Sequence, residues 1–354
     1  MKHAKRLVAM LLVLATVLTS CVSAFAATAK SNSKYDYNGD GKVVYTSFGD
    51  SIPGGFGLPD YNKYKTPLVY GKEISGSYPS LLADKLGVDK LNFMAIPGTR
   101  SEDVAYLIGA KKYEDWISNE YSDISGGTLS TDDLEELKPS YIKAMKEADI
   151  ITLDVGFNDM WEPTILCIYT IAQEGGIFNT DMDMQERIAE YGSTIVVLQN
   201  VVRYFNAWIV RPDHWAKFMT LWVSTLTKFM SDYTINMQRI CATIAKENPD
   251  AHVVLSGRFN PFKGWGITPF IADNGFEVLT NWFFDIYSTQ AQFLAWKYDY
   301  EYIDVADVET ACEYLTTIPL YPYMSTTGGF LKFNPHPTLK GHKQIADRMY
   351  AVLK

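Results

Sequence analysis

The sequence predicts an α/β protein built on a five-stranded parallel sheet. Five short apolar runs, rich in β-branched and aromatic residues, alternate with segments whose apolar residues recur at helical spacing. Strands buried on both faces have this continuous apolar character, and strands that alternate with helices pair in parallel. The predicted strands are Val43–Phe48, Leu91–Ala95, Ile150–Val155, Val253–Phe259 and Tyr302–Val305.

The segments between and after the strands predict helices. Carboxylates cluster at the start of the segment after Thr131, where they suit a helix dipole, and Thr338 is a suitable N-cap for the last segment. The predicted helices are Tyr78–Leu86, Asp132–Ala148, Arg187–Asn206, His214–Lys246, Glu277–Trp296 and Leu339–Leu353.

The connection between the third and fourth strands is much longer than a standard crossover, so we expect a helical insertion at about 160–250. One helical face of this insertion is aromatic and includes Trp215, Phe218 and Trp222. Two interpretations are open. The stripe packs on the core or on a neighbouring helix, or it forms a lid or a wall for an acyl group.

Composition indicates a folded protein of one large domain or two smaller ones. The 354 residues are 47% hydrophobic, 14% aromatic and 21% charged, which excludes disorder for most of the chain. A net charge of −9 argues against nucleic acid as a partner and against docking on anionic lipid.

The N-terminus resembles a signal peptide, which we place at residues 1–26. A positive segment with Lys2 and Lys5 precedes the apolar run Leu7–Leu18, and Ala24-Phe25-Ala26 provides a cleavage site. In a competing interpretation Leu18–Cys21 is a lipobox, and Cys21 carries a lipid anchor. Both place the mature protein outside the cytoplasm, and no later run predicts a transmembrane helix.

The signal peptide is followed by an N-terminal leader at 27–41 and by one domain at 42–354. The polar part of the leader is expected to be poorly ordered, and its Asp36–Gly41 segment resembles a turn more than a calcium loop. The cysteines Cys167, Cys241 and Cys312 are expected to be buried, with a Cys167–Cys241 or Cys241–Cys312 disulfide left open.

Four polar segments follow the predicted strands or precede the last helix. They are Gly49–Gly55, Pro97–Arg100, Gly156–Asp159 and Asn334–Thr338. Ligands of open α/β sheets bind beyond the carboxyl ends of the strands, so these segments can converge on one crevice. Together they supply a hydroxyl, a base and hydrogen-bond donors, which are the groups needed for acyl transfer.

In these four segments and their order, the chain resembles the GDSL/SGNH hydrolases, a family of esterases and lipases. The resemblance implies a flavodoxin-like five-stranded sheet between helices and a serine mechanism without a metal or organic cofactor. It assigns Ser51 as nucleophile, His336 as general base, and Ser51, Gly98 and Asn158 as the oxyanion hole. Asp50 and Asp159 are expected to be scaffolding, with Pro53 in the first turn of a helix and His342 on the surface.

One feature departs from the family pattern. The family places an acid three residues before the catalytic histidine, and this position holds Phe333. The group that orients His336 is therefore expected to be a backbone carbonyl near Phe333 or the amide of Asn334. Asp304 and Asp307 are remote alternatives, although they are better suited to capping their own loop.

The sequence therefore predicts a secreted serine esterase. An ester of a lipid or of another bulky acyl group is slightly favoured over an acetylated glycan, because the insertion is aromatic. The alternative is a binding protein of the cell surface that kept the SGNH fold and has weak or no catalysis, since the expected acid is missing.

Overall fold

The sheet of this protein is parallel throughout and confirms the predicted fold class. The computed structural model describes residues 33–63, 72–111, 131–174, 208, 211–260, 275–310 and 336–354. Within these residues five strands pair in the order β2-β1-β3-β4-β5. They are β1 (Val44–Gly49), β2 (Lys90–Ala95), β3 (Ile150–Asp154), β4 (His252–Ser256) and β5 (Glu301–Ile303).

The order of the strands reverses between β1 and β3. The chain leaves β1 to form β2 on one side and then crosses to form β3 on the other. The loops after these strands diverge at such a switch point and leave a crevice at the carboxyl edge of the sheet. Two of the four polar segments, those after β1 and β3, flank this crevice.

The helices of the described residues divide into two groups. α2 packs against α8, whereas α6 packs against α3, α4, α5 and α7, as right-handed crossovers on opposite faces of the sheet require. The helices are α1 (Pro59–Lys63), α2 (Tyr78–Leu86), α3 (Ser101–Leu107), α4 (Thr131–Glu147), α5 (Phe157–Glu174), α6 (Pro212–Glu247), α7 (Gly275–Tyr298) and α8 (Leu339–Val352).

Five of the six predicted helices are present with small shifts at their ends, and the sixth, Arg187–Asn206, lies outside the described residues. α1, α3 and α5 were not predicted. α5 begins directly inside the Gly156–Asp159 motif and contains Pro163, so its polar start and its proline mask the helical pattern.

The aromatic stripe of the insertion packs inside the protein. Phe218 and Trp222 are almost completely buried, and their rings stack with centroids 5.8 Å apart. The Trp222 indole N–H donates to the Thr164 hydroxyl of α5 at 2.8 Å, so the buried polar atom has a partner. The first interpretation, a helix packed on its neighbours, is the one this packing supports.

The described part of the leader is ordered against the domain, contrary to expectation. The ring of Tyr35 is buried in the core, and the Asn38 N–H donates to Asp149 at 3.1 Å. The Asp36 carboxylate accepts the Gly41 N–H at 3.1 Å, which closes the turn. A buried aromatic ring and a paired carboxylate offset the entropy of ordering these polar residues.

Cys167 and Cys241 are buried free thiols, which excludes a disulfide between them. Cys21 and Cys312 lie outside the described residues. Among the helices that the structure describes, none combines the length and apolar character needed to span a membrane.

Candidate active site

Ser51 lies on a tight turn at the carboxyl end of β1. The turn starts at Gly49, where a Cβ atom would approach the Asp154 carbonyl oxygen to 2.2 Å, so only glycine fits beside β3. The Phe56 N–H then donates to the Ser51 carbonyl at 3.0 Å. Residues 51–57 form consecutive turns rather than the predicted helix, because Gly55 has a positive φ and breaks helical geometry.

The structure brings His336 to Ser51. Nε2 of His336 lies 2.8 Å from Oγ of Ser51, although the two residues are 285 positions apart. His336 directly precedes α8, whose first turn is fixed by Thr338, since the Thr338 hydroxyl accepts the Gly341 N–H at 3.1 Å. Thr338 is thus the N-cap that the sequence predicts.

The imidazole of His336 is suited to accept a proton. Burial, assisted by the neighbouring His342, lowers the pKa of His336 below its ordinary value, so the ring is neutral at pH 7. For Nε2 to accept the Ser51 hydroxyl proton, Nδ1 must carry the ring hydrogen. A neutral imidazole in this tautomer is the general base that an attack by Ser51 needs.

Gly98 lies in the turn that follows β2. The Thr99 N–H donates to the Ile96 carbonyl at 3.2 Å, and Gly98 has φ +83°, which a turn with proline at its second position and glycine at its third requires. Within the described chain, neither the Gly98 N–H nor the Ser51 N–H has a hydrogen-bond acceptor. Both are available to bind an oxyanion.

Asn158 connects the third motif to the second. Its side chain is 6% exposed, and Nδ2 donates to the Thr99 carbonyl at 2.9 Å, directly after Gly98. An amide nitrogen carries two hydrogens, so one remains after this bond. The bond to Thr99 holds the amide in place while the second N–H is available to a ligand.

Asp159 has a structural role. Its carboxylate accepts the Ser101 N–H at 2.9 Å and also the Ser101 hydroxyl, and it thereby caps the N-terminus of α3. Burial raises the pKa of Asp159 to about 6. Asp159 is therefore the scaffolding residue that the sequence analysis expects.

A cluster of buried charged side chains lies at the carboxyl ends of β1, β3 and β4. Asp50 accepts the Ile52 N–H at 2.9 Å, and Nη1 of Arg258 donates to Asp154 at 2.9 Å. Arg258 also donates to the Val155, Ser256 and Gly257 carbonyls, so it joins the ends of β3 and β4. Burial, together with the nearby Asp154, raises the pKa of Asp50 to about 8.

Arg258 is a residue of this region that was not predicted to have a functional or structural role. The signal was present, because Arg258 is a charged residue inside the predicted strand Val253–Phe259, whose other residues are mostly apolar. An arginine at such a position is buried only with partners. β4 in fact ends at Ser256, and Arg258 lies just beyond it at the site.

His342 is fully buried, so its predicted surface position is wrong. Its Nδ1 accepts the Tyr78 N–H, the first of α2, at 3.2 Å. Burial lowers the pKa of His342 to about 4, which keeps the ring neutral and therefore tolerable in the interior. On α8, His342 shares its buried face with Ile345, Ala346 and Met349, and this helical spacing was the available signal.

The group that orients His336 remains a prediction, because Phe333 and Asn334 lie outside the described residues. The two remote aspartates have other contacts. Asp304 accepts the Ala306 N–H at 2.9 Å, and Asp307 pairs with Arg348 at 2.7 Å. Both contacts are of the loop-stabilising kind that the sequence analysis expects for them.

The fold and the family define the class of protein. The model of the GDSL-like lipase/acylhydrolase family matches residues 47–344, and the chain belongs to this family. It is a serine hydrolase that acts on ester bonds. No curated protein matches the chain closely enough to count as a relative.

Several solved structures are similar to this chain. An extracellular lipase from Streptomyces rimosus is 15% identical with a TM-score of 0.46, and covers 87% of this chain and 99% of its own. Phospholipase A1 from Streptomyces albidoflavus is 15% identical with a TM-score of 0.48, and the match covers 88% of this chain and 99% of the phospholipase chain. A catalytic mutant of an acetylxylan esterase from Geobacillus stearothermophilus is 15% identical with a TM-score of 0.37, and the match covers 88% of this chain and 93% of the esterase chain.

The raised pKa of Asp50 makes a prediction about stability. The pKa of the Asp50 carboxyl is higher in the folded protein than in the unfolded chain, where it is about 4. Such a carboxyl stabilises the folded state fully below its unfolded pKa, and this contribution is lost as the pH rises toward 8. Asp50→Asn keeps the shape without the titration. We expect the free energy of unfolding of Asp50→Asn, relative to wild type, to increase from pH 5 to pH 8.

Urea unfolding across this pH range measures the difference. Asp84→Asn is the matched control, since Asp84 is exposed on α2. Its difference from wild type should stay constant with pH. A constant difference for Asp50→Asn as well would contradict a protonated Asp50.

Proposed function

We propose that the protein is a secreted serine esterase in which Ser51 and His336 form and hydrolyse an acyl-enzyme. The observation that carries the proposal is the 2.8 Å contact between Nε2 of His336 and Oγ of Ser51. This is hydrogen-bond distance between a nucleophile and its base. Within the described residues the N–H groups of Ser51 and Gly98 have no acceptor, and with the anchored amide of Asn158 they support an oxyanion hole.

In the acylation step, Oγ of Ser51 attacks the ester carbonyl while its proton passes to Nε2 of His336. The carbonyl oxygen becomes an oxyanion that the Ser51 and Gly98 N–H groups and the Asn158 amide bind. The C–O bond to the alcohol then breaks, and the imidazolium of His336 returns the proton to the leaving alkoxide. The products are a free alcohol and an acyl group on Ser51.

Deacylation repeats these steps with water. His336 takes a proton from water as its oxygen attacks the acyl carbonyl, and the same three donors bind the second oxyanion. The bond to Ser51 breaks, Oγ regains the proton from His336, and the carboxylic acid leaves. No redox step occurs, and we expect no metal or organic cofactor.

We place a lipid or another bulky acyl ester ahead of an acetylated glycan as the substrate. The aromatic stripe of α6 does not support this preference, because it is buried between helices. Apolar residues close to Ser51 and His336 do support the preference for a bulky acyl ester. Phe56 is 39% exposed beside His336, and Leu339, three residues after His336, is 57% exposed. Apolar groups open to solvent at a site are suited to an apolar part of the substrate.

Secretion rests on the sequence alone. The charged and apolar segments of residues 1–26 precede the described chain, and cleavage after Ala26 or lipidation at Cys21 both place the domain outside the cytoplasm. Either route leaves the hydrolase domain intact, since it begins well after both positions.

A fluorophosphonate probe tests the nucleophile, because only an activated serine reacts with it. We expect the wild-type protein to be labelled, and Ser51→Ala and His336→Ala to lose both labelling and ester hydrolysis while keeping their melting temperatures. Ser140→Ala is the matched serine control and should label normally, since Ser140 is exposed on α4. A wild-type protein that folds but does not react would favour the alternative, a binding protein with the SGNH fold.

Asn158→Ala tests the oxyanion hole. Loss of one donor to the developing charge should lower kcat by about 10²–10³ with little change in KM. Asn236→Ala is the control, because Asn236 is a buried amide that contacts Ser101 instead. It should lower stability and leave kcat within a few-fold. A rise in KM alone for Asn158→Ala would reassign Asn158 to ground-state binding.

A series of p-nitrophenyl esters from acetyl to palmitoyl tests the substrate preference. We expect kcat/KM to rise with chain length beyond acetyl, and Leu339→Gln to reduce it for long chains while sparing acetyl. Trp296→Gln is the control, since Trp296 is 77% exposed at the end of α7 next to the amino edge of the sheet. Highest activity on acetyl esters would favour acetylated glycans.

A further inference from the structure

Phe56 lies against the base of the reacting pair. Its ring centroid is 4.6 Å from that of the His336 imidazole, with 34° between the two planes. The Phe56 N–H donates to the Ser51 carbonyl at 3.0 Å, so the backbone of Phe56 is tied to the main chain of Ser51. Phe56 thus contacts both members of the pair, one through its ring and one through its backbone.

The turn that presents Phe56 is tightly constrained. Gly55 has φ +68° and Gly57 has φ +87°, and a Cβ atom at Gly55 would lie 3.0 Å from Ile74. The ring of Tyr61 supports Phe56 from the side, with centroids 4.9 Å apart and 52° between the planes. The phenyl ring is therefore held at His336 rather than displayed on a free loop.

The charge of His336 changes during catalysis. In the proposed mechanism the imidazole becomes an imidazolium when it takes the Ser51 proton, and burial disfavours that cation. The other titratable ring that acts on His336 among the described residues is His342, which is neutral and whose Nδ1 already accepts the Tyr78 N–H. His342 therefore adds no negative charge to balance the imidazolium.

An aromatic face does attract a cation. The quadrupole of a phenyl ring is negative on its face, and a cation within about 6 Å of the centroid is stabilised. The 4.6 Å separation of the imidazole and phenyl centroids lies within this range, and the 34° between the planes is closer to a stacked than to an edge-on arrangement. The neutral imidazole gains less from this contact than the imidazolium does, so the contact favours proton transfer from Ser51.

We propose that Phe56 is a positioning residue for His336, holding the ring against Ser51 and stabilising its imidazolium through the phenyl face. This inference rests on the proposed function, in which His336 is the base. It assigns to an aromatic side chain part of the stabilisation that a carboxylate gives in a complete triad.

The pH dependence of kcat/KM tests the proposal. Phe56→Leu keeps an apolar side chain without the aromatic face. In the pH profile of kcat/KM, we expect the acid limb of Phe56→Leu to move to lower pH by about half a unit, because the imidazolium of His336 is less stable. We also expect kcat on the plateau to fall by about 2–10-fold. Phe56→Trp, which keeps an aromatic face, should retain both values or move them the opposite way.

Two further variants separate this role from a merely structural one. Tyr61→Leu removes the ring that supports Phe56 from the side but keeps the phenyl ring itself, so it should move the acid limb less than Phe56→Leu does. Pentafluorophenylalanine at position 56 keeps the ring shape but reverses its quadrupole, so it should lower the limb at least as far as Phe56→Leu does. It also provides the test if Phe56→Leu fails to fold.

An unchanged limb and kcat in folded Phe56→Leu, or a change in KM alone, would overturn the proposal. Ser51→Ala, assayed in the same series, separates a failure of the proposed function from a failure of the role of Phe56. If Ser51→Ala still hydrolyses the ester, the proposed function fails. If Ser51→Ala is inactive while the Phe56 variants keep the wild-type profile, only the role of Phe56 fails.

Discussion

The buried guanidinium of Arg258 is the interaction on which the carboxyl edge of the sheet depends. Its side chain is 3% exposed, and it binds Asp154 and the carbonyls that end two neighbouring strands. Asp50 and Asp159 are also buried nearby, and a cation in the same low-dielectric region makes this density of carboxyl groups tolerable. The Asn158 segment begins directly after β3, one of the two strand ends that Arg258 joins, and the Ser51 turn follows the neighbouring strand β1.

The hydrophobic pattern within each strand was sufficient to predict the sheet. Strands such as Ile150–Asp154 are buried on both faces, so their continuous apolar runs are visible without knowledge of the neighbours. The same pattern overextended the fourth strand through Phe259, because Arg258 becomes intelligible only with its partner Asp154 from another strand. The short helix α3 was not predicted, for a related reason. α3 is held by the Asp159 carboxylate, a contact with a residue 58 positions away.

The motifs predicted which residues converge, and the structure adds how they are held. The contact of Ser51 with His336 follows from motif order, but the anchoring of Asn158 on the Thr99 carbonyl and the ring of Phe56 on His336 depend on three-dimensional placement. His342 shows the limit of judging burial by residue type. A neutral imidazole that accepts one backbone N–H can be buried without the cost of desolvating a charge.

The separation of Ser51 and His336 by 285 positions has a consequence for biogenesis. A chain that has been synthesised as far as Arg258 already contains the nucleophile, Gly98 and Asn158, but it has no base. In the proposed mechanism such a chain cannot attack an ester, whatever part of it has folded. Hydrolytic competence then appears only once the segment that carries His336 has been synthesised, so the nascent polypeptide cannot hydrolyse esters before that point.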